Sequence, residues 1–101
     1  MIGPVIRSFA DAGTEDVFNG RSTKAARKAV PGSLIAVARR KLDALNAAQR
    51  LEDLRVPPGN RLEALKGDRA GQHSVRINDQ FRICFTWSSE GPELVEIVDY
   101  H

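Results

Sequence analysis

The sequence predicts a single α+β domain, in which an N-terminal β-strand and two helices pack on one face of a mostly antiparallel sheet. Three observations support this. Apolar residues recur at three- and four-residue spacings in the first half of the chain, apolar and polar residues alternate in the second half, and turn formers separate the alternating runs. With 101 residues, of which 42% are hydrophobic, the chain is long enough for one domain, residues 1–101, with one modest core.

The N-terminal part predicts a short strand followed by a short helix. Val5 to Phe9 is a β-like run, and Asp11 is a candidate N-cap for a helix over Glu15 to Phe18. Asn19-Gly20 is a turn-forming pair that ends this helix. Residues 21–30 are basic, which indicates either a solvated face or a surface that meets phosphates or an acidic partner.

The clearest helix begins after Pro31-Gly32, with Ser33 as a plausible N-cap. One face of it is apolar and consists of Leu34, Val37, Ala38, Leu42, Leu45 and Ala48. Leu51 and Leu54 add a further short turn packed on the core, and Pro57-Pro58-Gly59 ends the helical part.

The second half predicts an antiparallel meander. His73 to Ile77 and Phe81 to Trp87 form a hairpin around Asn78-Asp79-Gln80, and Leu94 to Val98 is the last strand. Alternation directs one set of side chains into the core: Val75, Ile77, Phe81, Ile83 and Phe85. The same period places Arg76 and Arg82 on the opposite face, within reach of a ligand.

Composition limits the chemistry of the chain. Its single cysteine, Cys84, lies in an apolar strand pattern, so an internal disulfide and a cysteine metal site are excluded. The two histidines lack ligand spacing, so we expect no metal and no cofactor. No apolar run approaches the roughly 20 residues of a membrane helix and no signal peptide is apparent, so we expect a cytoplasmic protein without membrane contact.

Several side chains with acid, base or phosphate-binding chemistry fall in the β-rich half. They are Glu63, Lys66, Arg69, His73, Arg76, Arg82, Asp99, Tyr100 and His101. Each alone is typical of a solvated surface, but a sheet could bring a carboxylate, an imidazole and several cations together. Cleavage of RNA without a metal needs such a set, because a base must deprotonate the 2′-OH, cations must stabilise the phosphate, and an acid must protonate the 5′ oxygen. Histidine suits the acid and arginine the phosphate.

Four segments resemble the HigB (host-inhibition, plasmid-maintenance killer) toxins of the RelE superfamily. They are Ile-Arg-Ser-Phe at 6–9, Leu-Lys-Gly-Asp-Arg-Ala-Gly at 65–71, Ser-Val-Arg-Ile-Asn-Asp-Gln-Phe-Arg-Ile at 74–83, and Val-Glu-Ile-Val-Asp-Tyr-His at 95–101. The resemblance implies the RelE-like microbial ribonuclease fold and a toxin that cuts mRNA in the ribosomal A site. It also implies a HigA-like helix-turn-helix antitoxin and contact with 16S rRNA, with operator DNA bound only through the antitoxin.

The resemblance also implies roles for the candidate residues. Some HigB relatives carry histidine at the position of Glu63, whereas the related YoeB toxins use a glutamate two residues before the same Leu-Lys pair. Glu63 is therefore the expected base and Arg82 the transition-state clamp, with His101 as the acid. Asp99 is a competing base.

The remaining candidates are expected to hold RNA. Tyr100 would orient or stack on a base, and the phosphate-binding residues would be Lys66, Arg69, His73 and Arg76. Asn78 stands where relatives carry a further arginine, which would alter activity or codon preference. Two rival hypotheses are a ParE-like toxin that inhibits DNA gyrase, against which Tyr100-His101 argues, and a non-catalytic interaction module.

Overall fold

A computed structural model describes residues 5–100, and the predicted acid His101 lies outside the described residues. Three α-helices are followed by four β-strands. The helices are α1 (Ala12–Asn19), α2 (Lys24–Ala29) and α3 (Ile35–Ala47), and the strands are β1 (Glu63–Ala64), β2 (His73–Arg76), β3 (Phe81–Ser88) and β4 (Gly91–Asp99). Single 3₁₀ turns lie at Gly32–Leu34, Leu51–Arg55, Pro58–Asn60 and Gly67–Arg69.

The caps of α1 are those predicted. Asp11 Oδ1 accepts a hydrogen bond from the Thr14 amide at 2.7 Å, and Gly20 ends the helix in the left-handed region at φ 73°. The predicted cap of α3 is wrong. Ser33 lies inside the 3₁₀ turn Gly32–Leu34, and α3 begins at Ile35 without a side-chain cap.

Helix α2 was not predicted, so the described residues 5–100 form three helices where two were expected. Thr23 caps it by accepting a hydrogen bond from the Ala26 amide at 3.0 Å. Ala26 is the one fully buried residue of this helix. The basic stretch identified in the sequence is therefore in part the exposed side of a short helix.

The four strands form one antiparallel sheet in the order β1-β2-β3-β4. The α+β class is thereby confirmed. The predicted N-terminal strand is reduced to a single parallel bridge between Phe9 and Val95. Backbone hydrogen bonds flank this bridge, such as the one that the Arg7 amide donates to the Pro92 carbonyl at 2.8 Å. The N-terminal run thus covers part of the edge of β4 without becoming a regular strand.

The helices cover one face of the sheet, and the core lies between them. All five side chains predicted to point inward are buried: Val75, Ile77, Phe81, Ile83 and Phe85. They join Val17, Leu42 and Leu45 from the helices in one apolar cluster. Buried Thr14 fixes α1 to β4, because its hydroxyl accepts a hydrogen bond from the Ile97 amide at 3.0 Å. The helix layer leaves the other face of β1 to β3 for polar side chains.

Candidate functional site

Arg82 is the central side chain of the polar face. It lies on β3 directly opposite Arg76 of β2, as the alternation predicted. Only 9% of it is exposed. Its Nε donates a hydrogen bond to Ser74 Oγ at 2.7 Å, and its Nη2 donates one to the carbonyl of Arg61 at 2.6 Å. A buried guanidinium is stable only when paired in this way, because desolvation of an unpaired cation is costly.

Glu63 supplies the carboxylate next to this arginine. It pairs with Ser74 in the β1–β2 register, and Ser74 pairs with Cys84 of β3. This register places Glu63 on the face of the sheet that carries Arg82. Glu63 Oε1 lies 3.9 Å from Arg82 Nη2, with the glutamate side chain 55% exposed and that of the arginine 10%. A solvent-reachable carboxylate therefore lies beside an almost buried cation.

These two residues belong to a surface cavity of about 330 Å³. Its lining consists of Arg61, Glu63, Arg76, Asn78, Asp79, Arg82 and Tyr100. We call this the Arg82 cavity. Three guanidinium groups and two carboxylates thus surround one opening, with the exposed ring of Tyr100 at its edge. Such a set can bind phosphate by paired, charge-assisted hydrogen bonds and can exchange a proton with a bound group.

The β2–β3 hairpin brings further side chains to the Arg82 cavity. Arg76 Nη2 donates to Asp79 Oδ1, which makes this arginine part of the hairpin turn. Asn78 Oδ1 accepts hydrogen bonds from the Gln80 and Phe81 amides, at 2.9 and 2.7 Å, and so builds the turn itself. The structure therefore assigns Asn78 a defined local role, where the resemblance had noted only a missing arginine.

Asp99 lies on the other face of the sheet. It pairs with Phe81, a core residue, so alternation directs it away from Arg82. Its two carboxylate oxygens accept hydrogen bonds from Gln80 Nε2 at 3.1 and 3.2 Å. Asp99 lines a second cavity of about 600 Å³, whose other wall comes from α1 and α2. The Tyr100 amide donates a hydrogen bond to the carbonyl of Gln80, in the turn between β2 and β3, at 2.6 Å.

The structure does not bring Lys66, Arg69 and His73 into the Arg82 cavity. Lys66 is exposed just before the 3₁₀ turn Gly67–Arg69. Arg69 Nη1 donates to Gln72 Oε1 at 3.0 Å and pairs with Glu96 Oε1 at 3.3 Å. Lys66 and Arg69 therefore lie in the connection between β1 and β2, apart from Arg76 and Arg82 of the hairpin.

The placement of His73 corrects the expectation that it shares a site with Arg82. It pairs with Ala64 and Phe85, so it faces the core side of the sheet. Its ring stacks on Phe85 with a centroid distance of 6.4 Å. Its Nδ1 is buried and has no hydrogen-bond partner among residues 5–100. The physical reason is parity, since His73 and Arg76 are three positions apart on one strand and therefore point to opposite faces.

Sequence reasoning missed Arg61 and Ser74. Arg61 adopts the left-handed conformation, with φ 46° and ψ 58°, at the end of the turn Pro58–Asn60. No local pattern marks a non-glycine residue for that conformation. Ser74 is fully buried, and the available signal was its even spacing from Arg76, which places both on one face.

Two further findings concern the part of the chain that the structure describes. Residues 5–100 contain no group of three or more histidine, cysteine, aspartate or glutamate side chains arranged to hold a metal ion. Within the same residues, no helix has the length and apolar character that crossing a bilayer requires.

Comparison with known proteins gives the family. A family model described as the RelE-like toxin of the type II toxin–antitoxin system HigB matches residues 7–101. The chain belongs to this family of HigB-like toxins. The resemblance drawn from the four sequence segments is therefore confirmed.

Individual relatives agree with the family assignment. The toxin HigB-1 of Vibrio cholerae serotype O1 is 44% identical over 72 residues, which are 71% of this chain and 75% of that toxin. An uncharacterized protein of Haemophilus influenzae is 37% identical over 60 residues, or 59% of each chain. The YoeB–YefM complex from Staphylococcus aureus contains a chain of the same fold, with a TM-score of 0.59 and 16% identity over 95% of this chain and 97% of that chain.

Proposed function

We propose that this HigB-like toxin is a ribosome-dependent endoribonuclease, which cleaves mRNA in the ribosomal A site by metal-independent attack of a ribose 2′-OH. The observation that carries the proposal is the pairing of Glu63 with Arg82 at the mouth of the Arg82 cavity, 3.9 Å apart. Base and phosphate clamp must lie within one nucleotide of each other, and this pair meets that requirement.

In this mechanism, Glu63 accepts the proton of the 2′-OH, and the freed oxygen attacks the adjacent phosphorus. Negative charge develops on the phosphate oxygens, and the guanidinium of Arg82 stabilises it. Because few water molecules reach a side chain that is 10% exposed, this stabilisation is stronger than it would be at the surface. The bond to the 5′ oxygen then breaks, and that oxygen receives a proton from His101, the acid assigned by the resemblance.

The other residues of the cavity bind RNA in this proposal. Arg76 and Arg61 line the cavity with Arg82 and would hold the neighbouring phosphates. Tyr100 is 42% exposed, so its ring is accessible for stacking on a base. Lys66 and Arg69, outside the cavity, would contact the message or 16S rRNA beyond the scissile bond.

The geometry favours Glu63 over Asp99 as the base. Glu63 lies on the face that carries Arg82, whereas Asp99 pairs with Phe81 on the opposite face and accepts hydrogen bonds from Gln80. Asp99 would instead help to hold Gln80, whose backbone carbonyl accepts a hydrogen bond from the Tyr100 amide. In this assignment Asp99 orients the C-terminal end of β4.

A HigA-like helix-turn-helix antitoxin would neutralise the toxin and bind the operator DNA. The family description names a type II toxin–antitoxin system, and one solved structure of the same fold is a complex of YoeB with YefM. These findings support an antitoxin partner for this chain, and cytoplasmic action on translating ribosomes follows from the proposed substrate.

The test is cleavage of a defined message on programmed ribosomes, mapped by primer extension. The native chain should cut in the A site, and the cut should be lost with Arg82→Lys and with deletion of His101. Arg40→Lys is the matched control, because Arg40 is exposed on α3. Thermal unfolding of each variant confirms that it is folded.

Each alternative outcome has a definite meaning. Equal cleavage of free RNA would refute ribosome dependence. Absence of cleavage by a folded native chain would refute the nuclease and favour the gyrase-inhibiting rival. Unchanged cleavage by Arg82→Lys would refute the proposed role of the Arg82 guanidinium in stabilising the phosphate.

A further inference from the structure

Arg82 is held by the protein in one orientation before any ligand binds. An arginine has four rotatable side-chain bonds, and fixing them during the reaction would add an entropic cost to the barrier. A cation that is already oriented toward the developing charge avoids this reorganisation. The groups that orient Arg82 are therefore relevant to the proposed activity even though they do not touch the substrate.

Ser74 is the first of these groups. It is fully buried, and its hydroxyl oxygen lies 2.7 Å from Arg82 Nε. Its backbone carbonyl also accepts a weaker hydrogen bond from Nη2, at 3.4 Å. A serine at this position of β2 thus contacts the stem side of the guanidinium and leaves its other side to the Arg82 cavity.

The carbonyl of Arg61 is the second group. It accepts the hydrogen bond from Arg82 Nη2 at 2.6 Å, across 21 positions of sequence. Arg61 reaches this position in the left-handed conformation, which is uncommon for a residue other than glycine. Its amide donates to the Pro58 carbonyl at 3.1 Å, which closes the turn. An unfavourable backbone conformation at a candidate site is an observation that suggests a functional constraint.

Asn60 anchors this turn to the helix layer. It is 2% exposed, and its Nδ2 donates to the carbonyls of Leu54 and Val56, both at 3.2 Å. Its Oδ1 accepts a hydrogen bond from Lys41 Nζ of α3. The buried asparagine therefore holds the turn that presents the Arg61 carbonyl, and α3 holds the asparagine.

We propose that the Ser74 hydroxyl and the Arg61 carbonyl, the latter fixed by Asn60, form a bracket that orients the Arg82 guanidinium toward the cavity. Ser74 and Asn60 are positioning residues that act through Arg82. The inference rests on the proposed nuclease function for its catalytic consequence, whereas the bracket itself can be tested without cleavage.

The first test uses ¹⁵N NMR of arginine side chains. In the native chain, the Arg82 Nε–H should exchange with solvent at least about tenfold more slowly than that of exposed Arg40, because it is buried and hydrogen-bonded. Ser74→Ala should remove most of this protection, and Ser74→Thr, which keeps the hydroxyl, should restore it. Equal exchange of Arg82 and Arg40 in the native chain would overturn the bracket.

The second test measures message cleavage on ribosomes. Ser74→Ala should lower kcat by about 10- to 100-fold with little change in KM, because a misdirected clamp affects the transition state more than binding. Ser74→Thr should recover most of kcat. Thr14→Val is the matched control, since Thr14 is also a buried hydroxyl but bonds to β4 on the core side.

The outcomes separate the inference from the proposed function. If the native chain does not cleave, the nuclease proposal fails, and the bracket is judged on exchange alone. If it cleaves and Ser74→Ala loses Nε–H protection without a loss in kcat, the positioning role is overturned. An equal loss of kcat in Thr14→Val would also overturn it, because the effect would then be one of general stability.

Discussion

The assignment of the base leads to the most discriminating prediction. Glu63→Gln keeps the size of the side chain and removes its charge and its basicity. Loss of a general base lowers the rate by roughly 10²- to 10⁴-fold, which is about 3–5 kcal/mol of barrier. Asp99→Asn should cause a smaller loss, because that side chain faces the other side of the sheet and accepts hydrogen bonds from Gln80.

Stability should change little in Glu63→Gln. At an effective dielectric constant of 20, two charges about 4 Å apart attract by about 4 kcal/mol. The Glu63 side chain is 55% exposed, and measured values for such solvent-screened pairs are about 0.2–1 kcal/mol. Arg82 also keeps its hydrogen bonds to Ser74 and Arg61. We therefore expect a change of less than about 1 kcal/mol in the free energy of unfolding.

The assay is single-turnover cleavage on programmed ribosomes, combined with urea unfolding of each variant. Glu90→Gln, in the exposed turn before β4, is the matched control and should cleave like the native chain. Near-native cleavage by Glu63→Gln, together with abolished cleavage by Asp99→Asn, would refute the assignment. A drop of several kcal/mol in the stability of Glu63→Gln would refute the estimate of the ion pair.

Three further predictions concern the scaffold. Gly91→Ala should lower the free energy of unfolding, measured in urea, by roughly 2–5 kcal/mol, because φ is 126° and a Cβ would lie 2.2 Å from the Val5 carbonyl oxygen. The control Gly59→Ala should be neutral, because a Cβ there would meet nothing within 4 Å, and equal effects of the two variants would contradict the prediction. Leu94→Asn should raise the melting temperature by relieving about 1 kcal/mol of left-handed strain at φ 53°, since the leucine is 55% exposed, and Leu94→Ala should bring no gain. Burial raises the pKa of the Cys84 thiol above its ordinary value of 9.0, so a disulfide reagent should react only as the chain unfolds. Above pH 9 the Cys84 thiol of the unfolded chain loses its proton, whereas the buried thiol of the folded chain keeps it. The free energy of unfolding should therefore fall there by up to about 1.4 kcal/mol per pH unit, and this part of the loss should be absent in Cys84→Ala.

Local patterns were sufficient for the class of fold. Asp11 and Gly20 mark the ends of α1 because a cap is decided by neighbouring backbone groups. The alternation from Val75 to Phe85 predicts the hairpin because a strand with one buried face repeats every two residues. Helix α2 was missed because only Ala26 among its six residues is buried, which leaves no apolar period to detect.

Only part of the candidate site could be predicted from the sequence. Arg76 and Arg82 were predicted on one face, and their register as direct partners confirms it. His73 was grouped with them on residue type alone, although its odd spacing from Arg76 indicated the opposite face. Arg61 lies in a turn whose left-handed end carries no sequence signal.

The sequence by itself determined the α+β class, the HigB-like family and the face that carries the two hairpin arginines. Each of these depends on spacing along one element or on a run of residues. Only the tertiary structure decided that Glu63 meets Arg82 and that Asp99 does not. The two-residue strand β1 is placed by its pairing with β2, and Asp99 by its pairing with Phe81. Such registers depend on the packing of the whole sheet against the helices, which no single segment encodes.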